Sequence, residues 1–439
     1  MDQAHRETVV ALSSGAPPSG VAVIRLSGPA VRSVVECAAG SLPEPRRATL
    51  RTIRDRNGQP LDQGLVLFFP GPESFTGEDC AELQVHGGRA IITAILQDLS
   101  AYPGVRLAEA GEFTRRAFEN GRIDLTEAEG LADLIAAQTE MQRRLALEQA
   151  KGGLTRLYAD WAKRLLTARA MIEADLDFAD EDDVPGSVAD AVWADMAVLA
   201  GEIERHLAGG TVGERIRDGF RIVISGPPNA GKSSLLNALA RRDVAIVSEE
   251  AGTTRDVIAV DMDIGGFAAT LIDTAGLREA EGKVEREGIA RARRAVQEAD
   301  LVLDLREGHD PGFAEPVGRQ SICVMTKGDL ARPPANHLAD VTISAVTGAG
   351  IDDLIGLIRS RLSEMLETSN LVLPTRLRHR AHLDNTLAFL NEAVNATASP
   401  IELRAEELRA AANELGRITG RTDVEDVLDV IFSSFCIGK

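Results

Sequence analysis

The chain has 439 residues, too many for one ordinary domain, so two or three domains are expected. Hydrophobic residues make up 44% and charged residues 26%, as in globular proteins, and no apolar run reaches the roughly 20 residues of a bilayer span. The net charge of −19 argues against nucleic-acid binding over the whole surface. Because the N-terminus also lacks a signal-peptide core, we expect a cytoplasmic protein without a membrane segment.

Short apolar runs separated by turn residues fill positions 1–119. They predict strands over Val21–Leu26 and Leu65–Phe69 and a helix over 89–100. This mixture is typical of an α+β domain.

From about residue 123 the pattern becomes helical. Thr126 and Glu129 fit a capping box, and helical periodicity continues with breaks to about 178. A second helical stretch covers roughly 188–207 and ends at the loop Ala208-Gly209-Gly210.

Residues 218–366 alternate between strand and helix patterns, which predicts a mostly parallel sheet covered on both faces. Strands are predicted over Arg221–Ser225, Val257–Ile264, Ala268–Ile272, Leu301–Leu305, Ile322–Met325 and Val341–Ser344, and helices over 232–241, 286–298 and 350–366. After 376 the pattern is helical again. The simplest organisation is therefore an α/β domain inserted into a helical one: 1–119 α+β, 120–216 helical, 217–370 α/β and 371–439 helical.

Four cysteines show no metal-binding spacing, and we expect Cys37, Cys80 and Cys323 to pack as small buried hydrophobes. A local basic patch could lie at Arg376, Arg378, His379 and Arg380, or at Arg291, Arg293 and Arg294. A solvated helix face is the favoured interpretation of both.

Gly226-Pro227-Pro228-Asn229-Ala230-Gly231-Lys232-Ser233 matches the phosphate-binding loop and lies between a predicted strand and a predicted helix. Its backbone N–H groups and the helix N-terminus attract phosphate oxygens. Lys232 should reach the β- and γ-phosphates, and the Ser233 hydroxyl should coordinate Mg²⁺.

Two motifs follow in the order expected of a nucleotide switch. Asp273-Thr274-Ala275-Gly276 ends an apolar strand, so Asp273 can hold the magnesium shell and Gly276 can meet the γ-phosphate. In Gly252-Thr253-Thr254-Arg255-Asp256, Thr254 is the better candidate to complete magnesium coordination.

The segment Thr326-Lys327-Gly328-Asp329 occupies the position where GTPases usually carry Asn-Lys-x-Asp. Asp329 can accept hydrogen bonds from the guanine ring N–H and amino group, a donor pair that adenine lacks. Ser344-Ala345 supplies a backbone contact to the guanine carbonyl oxygen. Guanine is therefore preferred, although Thr326 leaves an ATPase as an alternative.

The position directly after Asp273–Gly276 is Leu277, where Ras-like enzymes carry a water-orienting Gln. Leucine cannot orient water, so another polar group must act. Glu279, Glu281, Glu285 and Glu287 follow closely, and spacing alone does not choose among them.

The phosphate loop, the Gly-Thr-Thr-Arg-Asp switch and the C-terminal Cys436-Ile437-Gly438-Lys439 together resemble the tRNA-modification GTPase MnmE (TrmE) family. The resemblance extends to Ser74–Asp79 and Gly111–Thr114 and covers essentially the whole chain. It implies a folate-binding-like, dimerising α+β domain at the N-terminus, a helical domain, and an inserted Ras-like P-loop GTPase domain.

The resemblance also assigns roles to residues. Glu285 matches the catalytic acid, and Ser233 and Thr254 match the Mg²⁺ ligands. Potassium, which takes the part of an arginine finger, would be held by Asn229, Ser248, Glu250 and Thr253. The folate-binding residues match Arg25, Glu82, Arg122 and Lys439, with Cys436 near a 5-formyl or methylene one-carbon donor. The full nucleotide-binding set is Asn229, Ala230, Gly231, Lys232, Ser233, Ser234, Ser248, Glu249, Glu250, Ala251, Gly252, Thr253, Thr254, Asp273, Thr274, Ala275, Gly276, Thr326, Lys327, Asp329, Ser344 and Ala345.

By the same resemblance, the chain is a homodimer that binds GTP and GDP and joins a flavin-dependent partner (MnmG) in a heterotetramer. Together they would modify carbon 5 of the wobble uridine of certain tRNAs. The alternative is a regulatory GTPase switch that binds ribosomes or partners, with hydrolysis only as a timer.

Overall fold

The computed structural model describes residues 7–177, 187–242, 259–273, 294–307, 320–330, 339–366 and 371–422, together with 428, 431–433, 435 and 438. The chain forms two compact units. The first contains Met1–Ala132 and Gly416–Lys439, and the second contains Asp133–Leu415. Within the described ranges, no helix is both long and apolar enough to cross a bilayer.

The first unit contains a sheet of order β3-β4-β5-β2-β1-β6, antiparallel except for the β1–β6 pair. Its strands are β1 (Thr8–Leu12), β2 (Ser19–Ser27), β3 (Thr49–Arg54), β4 (Pro60–Phe69), β5 (Cys80–Gly87) and β6 (Val105–Leu107). Its helices include α1 (Val31–Ala39), α2 (Arg89–Ser100) and α3 (Glu112–Glu119). The predicted strands within β2 and β4 and the helix over 89–100 are confirmed.

Side-chain alternation in β2 explains which face of this sheet is covered. Ala22, Ile24 and Leu26 are buried in one cluster with side chains of α1 and α2. Each large aliphatic side chain contributes about 1.5–3 kcal/mol by this burial. Arg25 lies between them in sequence and therefore points to the opposite face.

Helix α4 (Leu125–Ala136) begins with a different cap from the one predicted. Asp124 Oδ1 accepts from the Glu127 backbone N–H at 2.9 Å, and Glu127 Oε2 accepts from the Asp124 N–H at 2.8 Å. The reciprocal pair is thus Asp124 and Glu127. The predicted pair, Thr126 and Glu129, is wrong because both residues lie inside the helix and are buried.

The C-terminal segment packs within the first unit. Phe432 and Phe435 lie in a cluster with Leu125 and Ala128, and the Phe432 ring is 6.3 Å from that of Phe118. Further on, the carbonyl of Gly438 accepts a hydrogen bond from Ser13 Oγ at 2.7 Å. Gly438 therefore lies beside the end of β1.

The second unit contains a sheet of order β12-β11-β10-β7-β9-β8. Its strands are β7 (Phe220–Ser225), β8 (Ala259–Ile264), β9 (Phe267–Asp273), β10 (Leu301–Glu307), β11 (Ser321–Thr326) and β12 (Val341–Thr342). All neighbours pair in parallel except β8 and β9, which confirms the predicted mostly parallel sheet. β12 is shorter than predicted and ends before Ser344.

Helices flank this sheet along the chain. They are α5 (Glu140–Ala150), α6 (Gly153–Asp177), α7 (Ser187–Ala208), α8 (Gly210–Asp218), α9 (Lys232–Ala240), α10 (Ile351–Met365), α11 (Leu377–Asn395) and α12 (Ile401–Thr419), whose last residues belong to the first unit. α8 begins at Gly210, the last residue of the predicted glycine loop, and was not predicted. The predicted helix 286–298 falls mostly outside the described residues.

Helix α5 connects the helical part of the second unit to its sheet. The Met141 backbone N–H donates to the carbonyl of Gly266 in the β8–β9 turn at 3.0 Å, and the Met141 side chain packs on the sheet core. Gln142 Nε2 donates to the Arg217 carbonyl at the end of α8 at 2.9 Å. These contacts anchor the N-terminal end of α5.

Tyr158 and Trp161 of α6 form the largest fully buried side chains of the helical part, and both rings contact His206 of α7. The Tyr158 hydroxyl lies 3.0 Å from His206 Nε2. Burial, with a smaller contribution from nearby His379, lowers the pKa of His206 to about 4. His206, which is partly buried, is therefore neutral at physiological pH.

Two sequence expectations about side-chain burial need correction. Cys37 is exposed on α1 and Cys323 is only partly buried, so only Cys80 of the three is a buried thiol. Helix periodicity places Cys37 away from the buried apolar face of α1, which includes Val31, Val34 and Val35.

The segment 376–380 is neither a basic patch nor a fully solvated face. Arg376 pairs with Asp133 at 2.8 Å and Arg380 with Glu214 at 3.1 Å, while His379 is buried. The charges of Arg376 and Arg380 are therefore neutralised within the unit. Of the second candidate patch, Arg291 and Arg293 lie outside the described residues, and Arg294 is exposed.

Gly111, at the N-terminus of α3, allows the C-terminal segment to approach closely. Its φ of +68° favours glycine, and a Cβ at this position would collide with the Phe432 carbonyl. We expect Gly111→Ala to lower the free energy of unfolding by about 2–4 kcal/mol, since strain and the collision add.

Gly104→Ala is the matched control, because Gly104 has a φ of +73° but open space around the Cβ position. It should cost only about 1–2 kcal/mol. Denaturant unfolding of both variants checks this, and equal losses would contradict the close packing of the tail on α3.

Candidate functional site

The parallel strands of the second unit bring several chain segments to one edge of the sheet. β7 lies between β9 and β10, and β11 follows β10, all running in the same direction. Their carboxyl ends, at Ser225, Asp273, Glu307 and Thr326, therefore meet at the same edge. This edge is where open α/β sheets bind ligands.

The phosphate loop leaves β7 and enters α9 at this edge. Gly226 has a φ of +146°, and a Cβ there would collide with the Leu305 carbonyl of β10. Asn229 and Gly231 also have positive φ, 64° and 86°. The turn thus lets Lys232 and Ser233 begin α9, whose N-terminal dipole favours an anion.

Lys232 is buried and held by its own loop. Its Nζ donates to the carbonyls of Gly226 at 3.1 Å and Pro227 at 2.8 Å. An ammonium group has three donors, so it can exchange these carbonyls for phosphate oxygens. The geometry fits the role predicted for Lys232.

Ser233 and Asp273 are in direct contact. Ser233 Oγ donates to Asp273 Oδ2 at 2.6 Å, and the Asp273 side chain is 0% exposed at the end of β9. A hydroxyl and a carboxylate beside a phosphate loop are the oxygen ligands that Mg²⁺ takes in nucleotide sites. These residues therefore fit a magnesium ion bound together with phosphates.

The segment predicted to recognise the base, Thr326–Asp329, begins at the last residue of β11. The Thr326 hydroxyl donates to the Ala230 carbonyl of the phosphate loop at 2.9 Å. Lys327 Nζ pairs with Glu307 Oε1 at 2.6 Å, and Asp329 is exposed. Ser344 is buried and its hydroxyl accepts from the Thr347 N–H at 3.1 Å, which shapes the turn that presents Ala345.

The structure therefore brings together Asn229, Ala230, Gly231, Lys232, Ser233, Ser234, Asp273, Thr326, Lys327, Asp329, Ser344 and Ala345 around one sheet edge. The remaining predicted residues of this site lie outside the described ranges: Ser248, Glu249, Glu250, Ala251, Gly252, Thr253, Thr254, Thr274, Ala275, Gly276 and Glu285.

A second candidate site lies in the first unit, on the sheet face opposite α1 and α2. Arg25 and Glu82 are direct partners in the β2–β5 register, and Arg25 Nη2 lies 2.9 Å from Glu82 Oε1. The Arg25 guanidinium carbon is 5.8 Å from the ring centroids of both Phe75 and Phe113. The guanidinium is thus held by a carboxylate and two aromatic rings.

The other predicted residues of this second site are less closely connected. Arg122 is exposed just after α3, and its backbone N–H donates to the Ala117 carbonyl at 2.8 Å. Lys439 and Cys436 lie outside the described residues, but Gly438 is placed by its bond to Ser13. Ser13 follows β1, whose Ala11 is the register partner of Arg25.

Sequence reasoning missed the ion network that holds the Ser74–Asp79 segment. Arg116 is buried and pairs with Glu78 at 3.0 Å and Glu112 at 2.8 Å. Burial alone would raise the pKa of Glu112, but hydrogen bonds from Arg106, the Glu109 backbone and Arg116 lower it. The i, i+4 spacing of Glu112 and Arg116 was the available signal.

Comparison with known proteins covers both units. Residues 8–122 match the family model "GTP-binding protein TrmE N-terminus", and residues 125–436 match "MnmE helical domain". The tRNA modification GTPase MnmE of Rhizobium johnstonii is 57% identical over 435 residues, which cover 99% of each chain. The protein of the same name from Sinorhizobium medicae is 58% identical over 442 residues, again covering 99% of each chain.

Among solved structures, the G domain of the T. maritima FeoB iron transporter matches 33% of this chain and 97% of its own length. The identity is 26% and the TM-score is 0.25. The family assignment therefore depends on the full-length relatives and on the family models. These full-length relatives and family models show that the chain is a GTP hydrolase and belongs to the tRNA modification GTPase MnmE family.

Proposed function

We propose that this chain is a potassium-activated GTP hydrolase that works with a flavin-dependent partner (MnmG). Together they would attach an aminomethyl or carboxymethylaminomethyl group to carbon 5 of the wobble uridine of certain tRNAs. The one-carbon unit would come from a tetrahydrofolate derivative in the 5-formyl or methylene form. The observation that carries this proposal is the position of the C-terminal tail. Gly438 lies beside β1, the strand that pairs with β2 and its Arg25. Both belong to a different unit from the phosphate loop.

For hydrolysis, Lys232 would bind the β- and γ-phosphates, and Ser233 and Thr254 would coordinate Mg²⁺ with Asp273 behind them. The 2.6 Å contact between Ser233 and Asp273 supports this arrangement. Glu285 would orient the attacking water through a second water. A polar group must take this role because Leu277 occupies the position of the usual Gln.

Potassium would add positive charge near the phosphates as the transition state develops. Its proposed ligands are Asn229, Ser248, Glu250 and Thr253. Asn229 supports the proposal because its left-handed backbone, with φ 64°, belongs to the phosphate loop itself, between Gly226 and Gly231. A side-chain carbonyl there can reach a cation beside bound phosphate.

The second site offers donors and acceptors suited to a folate. Glu82 Oε1 accepts from Arg25, and among the described contacts Glu82 Oε2 and Arg25 Nη1 make no hydrogen bond. A pteridine ring presents both N–H donors and ring acceptors, which match a carboxylate and a guanidinium side by side. Arg122 and Lys439 would hold the carboxylates of the folate, and Cys436 would lie near its one-carbon group.

A homodimer would form through the first unit. The sheet face around Arg25 carries exposed apolar side chains, with Val21 58% and Leu50 59% exposed. Leu50 pairs in register with Leu65, and Leu65 with Gln84, so the apolar groups continue across neighbouring strands. Apolar sheet faces of this kind are typical of protein interfaces.

The remaining features of the proposal concern organisation. The chain would divide at 119/120, 216/217 and 370/371 and act in the cytoplasm as a heterotetramer with MnmG. The net charge of −19 favours a division of labour in which the partner holds much of the tRNA.

Deleting residues 436–439 tests the link between the tail and tRNA chemistry. We expect GTP hydrolysis within about twofold of wild type but loss of the wobble-uridine modification, because the phosphate loop belongs to the other unit. Nucleoside analysis of tRNA from cells carrying the deletion checks this. Lys439→Ala is the milder companion variant. Normal tRNA nucleosides in the strains carrying the deletion and Lys439→Ala would contradict the proposal.

Glu285→Ala tests the hydrolytic mechanism. GTP affinity should stay near normal while kcat falls by roughly 10²–10⁴, because water would lose the group that orients it. Glu279→Ala is the matched control and should hydrolyse GTP at nearly the wild-type rate. If the two variants behaved alike in single-turnover assays, the role of Glu285 would be wrong.

The same assay in NaCl instead of KCl examines the potassium site. Wild-type hydrolysis should fall well below its rate in KCl, and equal rates in the two salts would remove Asn229 from the list of cation ligands.

A further inference from the structure

Thr326, the last residue of β11, has its hydroxyl turned toward the protein. The residue is 5% exposed, and its Oγ1 donates to the Ala230 carbonyl of the phosphate loop at 2.9 Å. The Arg306 carbonyl of β10 lies 3.2 Å from the same oxygen. Both neighbours are acceptors, and a threonine hydroxyl has a single proton. The only donor of this side chain is therefore committed to the protein backbone.

The asparagine usual at this position in GTPases differs in its number of donors. A carboxamide has two N–H donors and a carbonyl acceptor, so it can fasten the phosphate loop and still present a donor to a ligand. Thr326 can do only the first. Position 326 of this chain therefore keeps a contact to the phosphate loop and has no second donor to offer a base.

The groups that are left to recognise guanine would bind atoms of its six-membered ring. Asp329 is exposed and, among the described contacts, makes no hydrogen bond, so it can accept from N1–H and the 2-amino group. The Ala345 backbone N–H is likewise without an acceptor in the described part of the chain and can donate to O6. Among the described residues of this site, none is assigned as a donor to the acceptor N7 on the five-membered ring.

We propose that this chain recognises guanine through the six-membered ring alone and that Thr326 makes it indifferent to N7. The inference rests on the assignment of GTP as the substrate of this site. It makes Thr326 a specificity-determining residue: the site accepts guanine nucleotides altered at N7 while still rejecting those altered at N1 or the 2-amino group.

The test compares kcat/KM of the full-length protein for GTP, 7-deaza-GTP and ITP. Wild type should use GTP and 7-deaza-GTP within about twofold of each other, because no hydrogen bond depends on N7. Thr326→Asn supplies the missing donor and should raise the preference for GTP over 7-deaza-GTP by roughly fivefold. ITP, which lacks the 2-amino group, should be roughly tenfold worse than GTP in both proteins.

Thr326→Val is the matched control, since valine keeps the shape of threonine without its hydroxyl. It should lower kcat/KM for GTP and 7-deaza-GTP by the same factor, because it loosens the phosphate loop without touching the base. A change in their ratio would show that the hydroxyl itself contacts N7 and would overturn the inference.

Two further outcomes would also contradict the inference that this chain is indifferent to N7. Wild type could discriminate against 7-deaza-GTP by fivefold or more, which needs a donor to N7 that the inference denies. A folded Thr326→Asn protein could show the wild-type ratio, which would mean that position 326 does not face N7. Failure of wild type to hydrolyse GTP, or equal use of GTP and ITP, would instead count against guanine as the substrate.

Discussion

The hydrogen bond between Ser233 and Asp273 joins the two halves of the nucleotide site. It connects the first turn of α9 to the end of β9 at 2.6 Å, and it exists because β7 and β9 run in parallel to the same sheet edge. The carboxylate is fully buried at this position. This contact holds the start of α9, directly after the phosphate loop, against the end of β9.

In the second unit, β9 connects the Ser233–Asp273 contact to helix α5. β9 begins at the β8–β9 turn, where the Gly266 carbonyl accepts from the Met141 backbone of α5. One strand therefore extends from the turn that contacts α5 to Asp273 at the other end. The second candidate site belongs to the other unit, around Arg25 and Glu82.

Much of this could be predicted from the sequence where a pattern has one physical cause. The strand–loop–helix at Gly226 and the carboxylate at the end of β9 follow from periodicity and motif spacing. The sequence predicts the wrong N-cap for α4 because aspartate and threonine are both favoured at N-caps. Only the hydrogen bonds show that Asp124, not Thr126, is used. Two contacts join residues that are far apart in sequence: the hydrogen bond from Thr326 to Ala230 and the pairing of buried Arg116 with Glu78. No local pattern reports such contacts.

The central claim, that Lys232 and the Ser233–Asp273 pair form a magnesium-dependent GTP site, is tested most directly by calorimetric GDP titration. In wild type, Mg²⁺ should strengthen binding, and Lys232→Ala should weaken it by roughly 10²-fold or more through loss of charge-assisted hydrogen bonds. Asp273→Asn should largely remove the dependence on Mg²⁺. Unchanged GDP affinity in Lys232→Ala, or an unchanged magnesium dependence in Asp273→Asn, would contradict the account.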